Sequence, residues 1–336
     1  MSTPAVSLNP LFGRAWKLTV TTPANGSGEQ TQTTVSSSAW DPEALRITFE
    51  VDLPAFASTW YAKIEIYNLA PSLAQAFIYG QGSTVSLEAG YQVSPYGVIF
   101  QGVVYQALYE RTENVVDSKV TLMCYTGMKE VLGNFANIQS GPNQTQASLI
   151  ARMVAGAQTP ITQGNISTAQ LSTTTYPRRR GFFGDPSRFI EDVAAANNMQ
   201  AWYGFDGLNV STMGTDTTVS TITYTSSTGI LGTPQQTQDG VAFRVMLDAR
   251  PRVQNPPMQV NIASAVIRQL AVAVGNYRPI LDANGLYLVN GIQHVGDSRG
   301  EDWYTRIEGF TSTGGKLAMI YDAADPQQTL DRRAVQ

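Results

Sequence analysis

Leu45-Arg-Ile-Thr-Phe-Glu-Val51 and Tyr61-Ala-Lys-Ile-Glu-Ile-Tyr67 place an apolar side chain at alternate positions with polar or charged ones between. A period of two is the pattern of a strand with one buried and one wet face. Further strand-like runs flank the pair. Trp16-Lys-Leu-Thr-Val-Thr21 precedes it; Thr84-Val-Ser-Leu-Glu88, Gly97-Val-Ile-Phe-Gln-Gly-Val-Val-Tyr105 and Lys119-Val-Thr-Leu-Met-Cys-Tyr125 follow. Residues 22–38, rich in Gly, Ser, Thr and Gln, read as a long polar hairpin loop or arm. Asn68-Leu-Ala-Pro-Ser-Leu-Ala-Gln-Ala-Phe-Ile-Tyr79 reads as a short helix with a polar cap, closed by Gly80. Short, regularly spaced strands plus one helix predict a small antiparallel barrel or sandwich over residues 1–125, preceded by an N-terminal arm.

Composition agrees. The 336 residues are 43% hydrophobic, enough for buried cores in two domains with room for a third small one. Only 14% are charged, against roughly 25% in an average soluble protein. Polar uncharged residues, 29 glycines, 15 Tyr, 12 Phe and 5 Trp fill the difference, which suits strands and tight loops better than charged surface helices. The net charge of −4 makes the whole chain no counter-ion for nucleic acid. A single histidine, His294, cannot build a multi-imidazole zinc site, and a single cysteine, Cys124, excludes an internal disulfide framework. Residues 1–10 lack a basic start followed by an apolar run, so no secretory signal is expected. The longest apolar stretch, residues 262–274, is interrupted by Ser264, Arg268 and Gln269 and is too short to cross a bilayer. The expectation is a soluble protein folded in a cytoplasm, without stable membrane binding.

Residues 126–215 change character. Thr145-Gln-Ala-Ser-Leu-Ile-Ala-Arg-Met-Val154 gathers Leu149, Ile150 and Met153 on one helical face. Asp185-Pro-Ser-Arg-Phe-Ile-Glu-Asp-Val-Ala-Ala-Ala-Asn197 reads as a second helix, with Pro186 in its first turn and Asn197-Asn198 as the stop. Met199-Gln-Ala-Trp-Tyr203 and Gly207-Leu-Asn-Val-Ser211 then make a hairpin, so this part is a small α+β insert. Strands return over residues 216–321, most clearly at Val241-Ala-Phe-Arg-Val-Met-Leu247, Met258-Gln-Val-Asn-Ile262, Gly285-Leu-Tyr-Leu-Val289 and Trp303-Tyr-Thr-Arg-Ile307. A weak echo links the β segments: Gly97-Val-Ile-Phe-Gln-Gly102 and Gly285-Leu-Tyr-Leu-Val-Asn-Gly291 each set an apolar strand between glycines. The polar tail, residues 322–336, is too poor in apolar side chains to order itself and is expected to be disordered or to fold against a partner.

Few motifs carry chemistry. Gly296-Asp-Ser-Arg-Gly300 superficially matches a serine-protease turn, but the chain's one histidine lies just before it; a polar turn with Asp-Ser chemistry fits better. Glu50, Asp52 and Glu65 alternate along strands and Glu191-Asp192 sits on a helix, which leaves a glycosidase-like pair without a local cluster. Gly80-Gln-Gly82 lacks the Lys-Ser/Thr ending of a phosphate loop. Cys124 reads as a buried thiol and His294 as structural, so catalytic, cofactor and metal residues are all expected to be none. Arg178-Arg-Arg180, followed by Gly181-Phe-Phe-Gly184, is the one dense basic run, with aromatic neighbours. Arg178, Arg179, Arg180, Phe182 and Phe183 are candidates for a partner interface; the alternative is a solvated loop with both phenylalanines tucked into the insert's core.

Several landmarks in order resemble a known family. Ile64-Glu-Ile-Tyr-Asn-Leu69, the short helix, Val85-Ser-Leu-Glu-Ala-Gly-Tyr91 and Gly97-Val-Ile-Phe-Gln-Gly102 resemble the first domain of bacteriophage baseplate hub proteins, the phage T4 gene product 27-like and Mu-like tail hub group. Gly229-Ile-Leu-Gly-Thr-Pro234 with Asp239-Gly-Val-Ala-Phe-Arg-Val-Met-Leu247 is similar to the start of that family's later β domain. Gly285-Leu-Tyr-Leu-Val289, His294-Val-Gly-Asp-Ser-Arg-Gly300 and Trp303 are similar to its close.

The resemblance implies a mainly β fold with two tube-protein-like antiparallel barrel or sandwich domains flanking the α+β insert. It further implies a non-enzymatic homotrimer, a pseudo-six-fold ring joining the tail tube or distal tube protein to a three-fold central spike. Other baseplate proteins, with the tape measure protein as a further candidate, would be its neighbours. DNA would meet it only in transit through the channel, whose lining is expected to be acidic or neutral. Its place would be the virion's tail baseplate, after assembly in the host cytoplasm. The arm and the tail from Asp322 are candidates for reaching neighbouring proteins. No lysozyme-like domain or long spike repeat is present, so wall cutting and membrane piercing would fall to partners. A hub of a related contractile injection device and a carboxylate-dependent cell-wall hydrolase remain as alternatives.

Overall fold

Alternation in sequence becomes alternation in burial. In β3 (Ile47–Pro54), Ile47, Phe49, Val51 and Leu53 are buried while Glu50 is exposed, and β4 (Tyr61–Tyr67) buries Ala62, Ile64 and Ile66. The computed structural model describes residues 13–23, 29–37, 44–55, 57–78, 82–92, 95–111, 117–211, 220–237, 240–253, 258–262, 267 and 284–311. The N-terminal arm, Gly80, most of the apolar stretch 262–274 and the polar tail lie outside the described residues.

β1 (Arg14–Thr21) pairs antiparallel with β2 (Gln32–Ser37), which falls inside the stretch expected to be a polar loop. Five of the six residues of β2 are Gln, Thr or Ser, so local pattern is silent. The open edge of β1 supplies the ladder, and Val35 packs on the core. The short helix α1 (Pro71–Ile78) starts on a proline and buries Ala74 and Phe77. β5 (Thr84–Tyr91), β6 (Tyr96–Arg111) and β7 (Ser118–Tyr125) complete the first segment. β6 is 16 residues long and serves two neighbours: its first half pairs with β5 and its second with β7, switching near a bulge at Val104 and Gln106.

The insert comprises α2 (Met128–Val131), β8 (Ala136–Ser140), α3 (Gln146–Gly156), β9 (Gln163–Ile166), β10 (Arg180–Gly184), α4 (Pro186–Ala196), β11 (Gln200–Gly204) and β12 (Gly207–Ser211). Caps set both longer helices. Thr145 Oγ1 accepts from Ser148 N at 3.2 Å, and an Asp185 carboxylate oxygen accepts from Ser187 N at 2.9 Å. Ile150, Met153, Ile190, Leu208 and Val210 form a core separate from the main one. Phe205, in the turn of the β11–β12 hairpin, leaves that core and sits 5.2 Å from Trp60 and 6.2 Å from Phe100 between ring centroids. Tyr203 N donates to Ser58 O beside it, so this hairpin pins the insert to the main body.

The last segment adds β13 (Thr221–Tyr224), β14 (Ile230–Gln236), β15 (Gly240–Met246), β16 (Gln259–Ile262), β17 (Leu286–Asp297) and β18 (Trp303–Thr311). β17 extends well beyond the expected 285–289, because β3 and β18 flank its second half on both sides. Gly296 makes the fit possible: a Cβ there would lie 2.2 Å from the Phe49 ring. The β3–β17 seam joins both β segments into one 13-stranded sheet, ordered β14-β15-β18-β17-β3-β4-β7-β6-β5-β1-β2, with β13 and β16 attached beside β17. The sheet curls back on itself. Arg14 of β1 donates to the carbonyls of Asp297 (2.6 Å) and Gly300, and Trp303 Nε1 donates to Gly90 O of β5. One apolar core runs through both segments, from Trp16 to Ile307.

The strap after β15 ties these parts together. Asp248, almost fully buried, accepts from Arg250 and from Tyr224 Oη at 2.9 Å, while its N–H donates to Thr305 Oγ1. Arg252 donates to Val98 O of β6 at 2.7 Å and lies over the Phe205 ring. That side chain therefore touches the last segment, the first and the insert.

Candidate functional surfaces

The arginine run lies between two anchored residues, Tyr176 and Arg180. Tyr176 exchanges backbone hydrogen bonds with the 143–144 turn, Asn143 N donating to Tyr176 O and Tyr176 N to Gln144 O. Its ring carries the Arg180 guanidinium 3.7 Å from the centroid. From Arg180 the chain enters β10, paired antiparallel with β8 from Arg180 opposite Ser140 to Gly184 opposite Ala136. Strand alternation then separates the two phenylalanines. Phe182, opposite Ile138, turns into the insert's core against Phe189. Phe183, opposite Asn137, turns outward; it is 75% exposed and meets Phe135 edge-on at 4.4 Å.

Arg178, Arg179 and Arg180 are exposed. All seven ion pairs among the described residues lie in the β segments, so the insert's arginines have no carboxylate partner there. β10 has no backbone partner other than β8 among the described residues.

A second surface spans the seam. Arg244, Arg306, Gln293, Asp52, Tyr61 and Tyr125 stand in one row across β15, β18, β17, β3, β4 and β7. Next to it, Lys63 and Lys119 both contact Glu65, at 2.9 and 3.1 Å, and Lys119 also reaches Glu110. Burial alone would raise the Glu65 pKa; hydrogen bonds from Lys63, Lys119 and Thr48 outweigh it and bring it to about 2. Five carboxylates (Glu50, Asp52, Glu65, Glu110, Glu308) face four cations (Lys63, Lys119, Arg244, Arg306), leaving this polar face near neutral. Where β3 ends against β17 it dips into a depression of about 270 Å³ lined by Asp52, Pro54, Gly291, Gln293, Arg306 and Glu308, among others.

The remaining sequence candidates have structural partners. Ser298 Oγ accepts from Ile47 N, and an Asp297 oxygen accepts from Arg299 N while the carboxylate pairs with Arg46 at 2.6 Å: a polar turn clamped to β3. His294 lies inside β17, fully buried, with Nδ1 2.9 Å from Thr305 Oγ1. Burial, reinforced by Arg252 and opposed by Asp248, brings its pKa to about 3, so the imidazole is neutral. Cys124 is buried in β7, and burial pushes its thiol pKa up. Among the described residues no cluster of His, Cys, Asp and Glu is arranged to hold a metal ion. None of the described helices is long and apolar enough to cross a membrane.

No family model matches the chain, and no curated protein matches it. Among solved structures it is similar to the tail protein from Neisseria meningitidis MC58, with a TM-score of 0.52 at 9% identity over 89% of this chain and 97% of that one. It is also similar to the 43 kDa tail protein of prophage MuSo2 from Shewanella oneidensis, with a TM-score of 0.54 at 10% identity over 89% of this chain and 98% of that one. At these identities the likeness is one of fold, and it runs nearly the full length of both neighbours. The chain has the fold of these two tail proteins, mainly β with a small α+β insert.

Proposed function

We propose that this chain is a structural subunit of a phage-type tail, the hub of its baseplate. The observation that supports it best is the nearly end-to-end fold likeness to two tail proteins. In this reading residues 1–125 and 216–321 are the two tube-like units, residues 126–215 the insert and residues 322–336 the polar C-terminal tail. Three chains, each with two units side by side in one sheet, close a pseudo-six-fold ring between a six-fold tube protein and a three-fold spike. The near-neutral face across the β3–β17 seam is our candidate for the channel wall, where it would hold passing DNA weakly. Arg178, Arg179, Arg180 and Phe183, with Phe182 behind them, form the candidate contact to a neighbouring tail protein. The assembled particle's tail is the proposed location and the host cytoplasm the place of assembly.

Electron microscopy of the purified chain, mixed with its tube and spike proteins and viewed down the axis, tests the reading. A three-fold particle with a central pore is expected. A strict monomer that joins neither partner, or that releases fragments from peptidoglycan, would overturn it.

A further inference from the structure

The β8–β10 pair is a sheet with one guarded edge and one bare one. On the β8 side, Gln158 N donates to Phe135 O, Ala136 bridges to Ala157, and Arg152 donates to Gln139 O at 3.1 Å. On the β10 side there is no backbone partner among the described residues, and Ser140 Oγ donates to Arg180 O from within the pair. A two-stranded sheet gains most from a third strand, and an unpaired edge is a template for one. Side chains around that edge specify what the strand carries. Phe183 is the most exposed of the large hydrophobic residues described, and Phe135 fixes its ring. Arg178, Arg179 and Arg180 have no ion-pair partner among the described residues. The Tyr176 stack anchors Arg180, and the Gln144–Tyr176 bridge fixes the chain just before the run, which lowers the ordering cost of binding.

We propose that the open edge of β10 receives an extended acidic segment of a partner protein as a third strand. Main-chain hydrogen bonds supply the pairing, Phe183 supplies an apolar anchor, and the arginines select carboxylates. A nucleic-acid strand fits less well, because the chain as a whole carries a net charge of −4. The inference rests on reading this surface as an interface, but it is independent of ring formation.

The test is fluorescence anisotropy with the full chain and a short labelled peptide alternating glutamate and valine, with a lysine–valine peptide and oligothymidylate as controls. Saturable binding of the acidic peptide is expected. It should weaken at least ~10-fold in Phe183→Ser and in the triple variant R178Q/R179Q/R180Q, each a change of about 1.4 kcal/mol or more. Both variants alter exposed side chains, and unchanged circular-dichroism melts confirm their folding. Hydrogen exchange at the amides of residues 180–184 should slow when the peptide binds. Equal binding of the lysine peptide, preference for oligothymidylate, unaltered binding by both folded variants or unchanged exchange in β10 would each overturn the proposal. Electron microscopy of the triple variant reads ring formation separately, so failure of one idea leaves the other measurable.

Discussion

His294 and Thr305 show how much of this fold hangs on single buried polar atoms. Thr305 Oγ1 meets His294 Nδ1 and also accepts from Asp248 N, both at 2.9 Å. Replacing Thr305 with Val strands both groups in the core. The expected cost is ~1–3 kcal/mol, read from urea denaturation at neutral pH. The neutral imidazole also makes the protein acid-sensitive. A histidine held at about 3 when folded, against 6.5 when free, binds its proton more readily in the unfolded chain. Its stabilising contribution is therefore complete above pH 6.5 and is lost as pH falls toward 3. Glu65 adds a second loss lower down, between 4.5 and about 2, as its ion pairs are protonated away. Thermal melts across this range should show the midpoint falling first below pH 6.5; a flat profile down to pH 4 would refute the histidine's role. At Gly296, a methyl group would collide with the Phe49 ring, so Gly296→Ala should cost ~1–3 kcal/mol and lower the melting midpoint.

Among the elements, the β11–β12 hairpin is the most consequential, because it connects two otherwise separate cores. Its Phe205 is only partly buried but touches Trp60, Phe100 and Arg252. Phe205→Ala should lose about 2 kcal/mol of anchoring and loosen the insert before the β segments melt. Limited proteolysis should then cut near residues 126 and 212 faster than in the parent chain. Most strands were legible because period two survives in the sequence of β1, β3, β4, β7 and β15. β2 was not, since Gln32-Thr-Thr-Val-Ser-Ser37 becomes a strand through its neighbour and not through its own pattern. The second half of β17 was hidden by Gly291, Gln293, His294 and Gly296, which break the apolar rhythm yet pair on both edges. At the candidate surface, the arginines stood out as a dense charge run. Which phenylalanine faces outward became readable only from the β8–β10 register, because Phe182 and Phe183 are adjacent and chemically identical.

For the molecule as a whole, the decisive fact is that the two β segments share one sheet and one core. A fragment holding residues 1–125 would expose the β3 edge that pairs with β17 and lose Trp303, which packs on Phe49 at 5.3 Å. Such a fragment should bind a hydrophobic dye and lack a cooperative melt; a sharp transition would show instead that the first segment stands alone. The near-neutral seam face carries its own expectation. Duplex DNA should show no measurable mobility shift with the intact chain at physiological salt, and micromolar retention there would refute the channel assignment.

The Gln293–Glu50 hydrogen bond across the seam links residues 243 apart in the chain. Ribosomal synthesis delivers β3 well before its partner strand, so the edge of β3 waits unsatisfied while the 243 residues that separate the two groups are made. Pairings of such long range are slow to form and leave a growing chain open to clumping. Yield in a heterologous host should consequently depend on growth temperature and on holding chaperones more than on any individual residue of the mature surface.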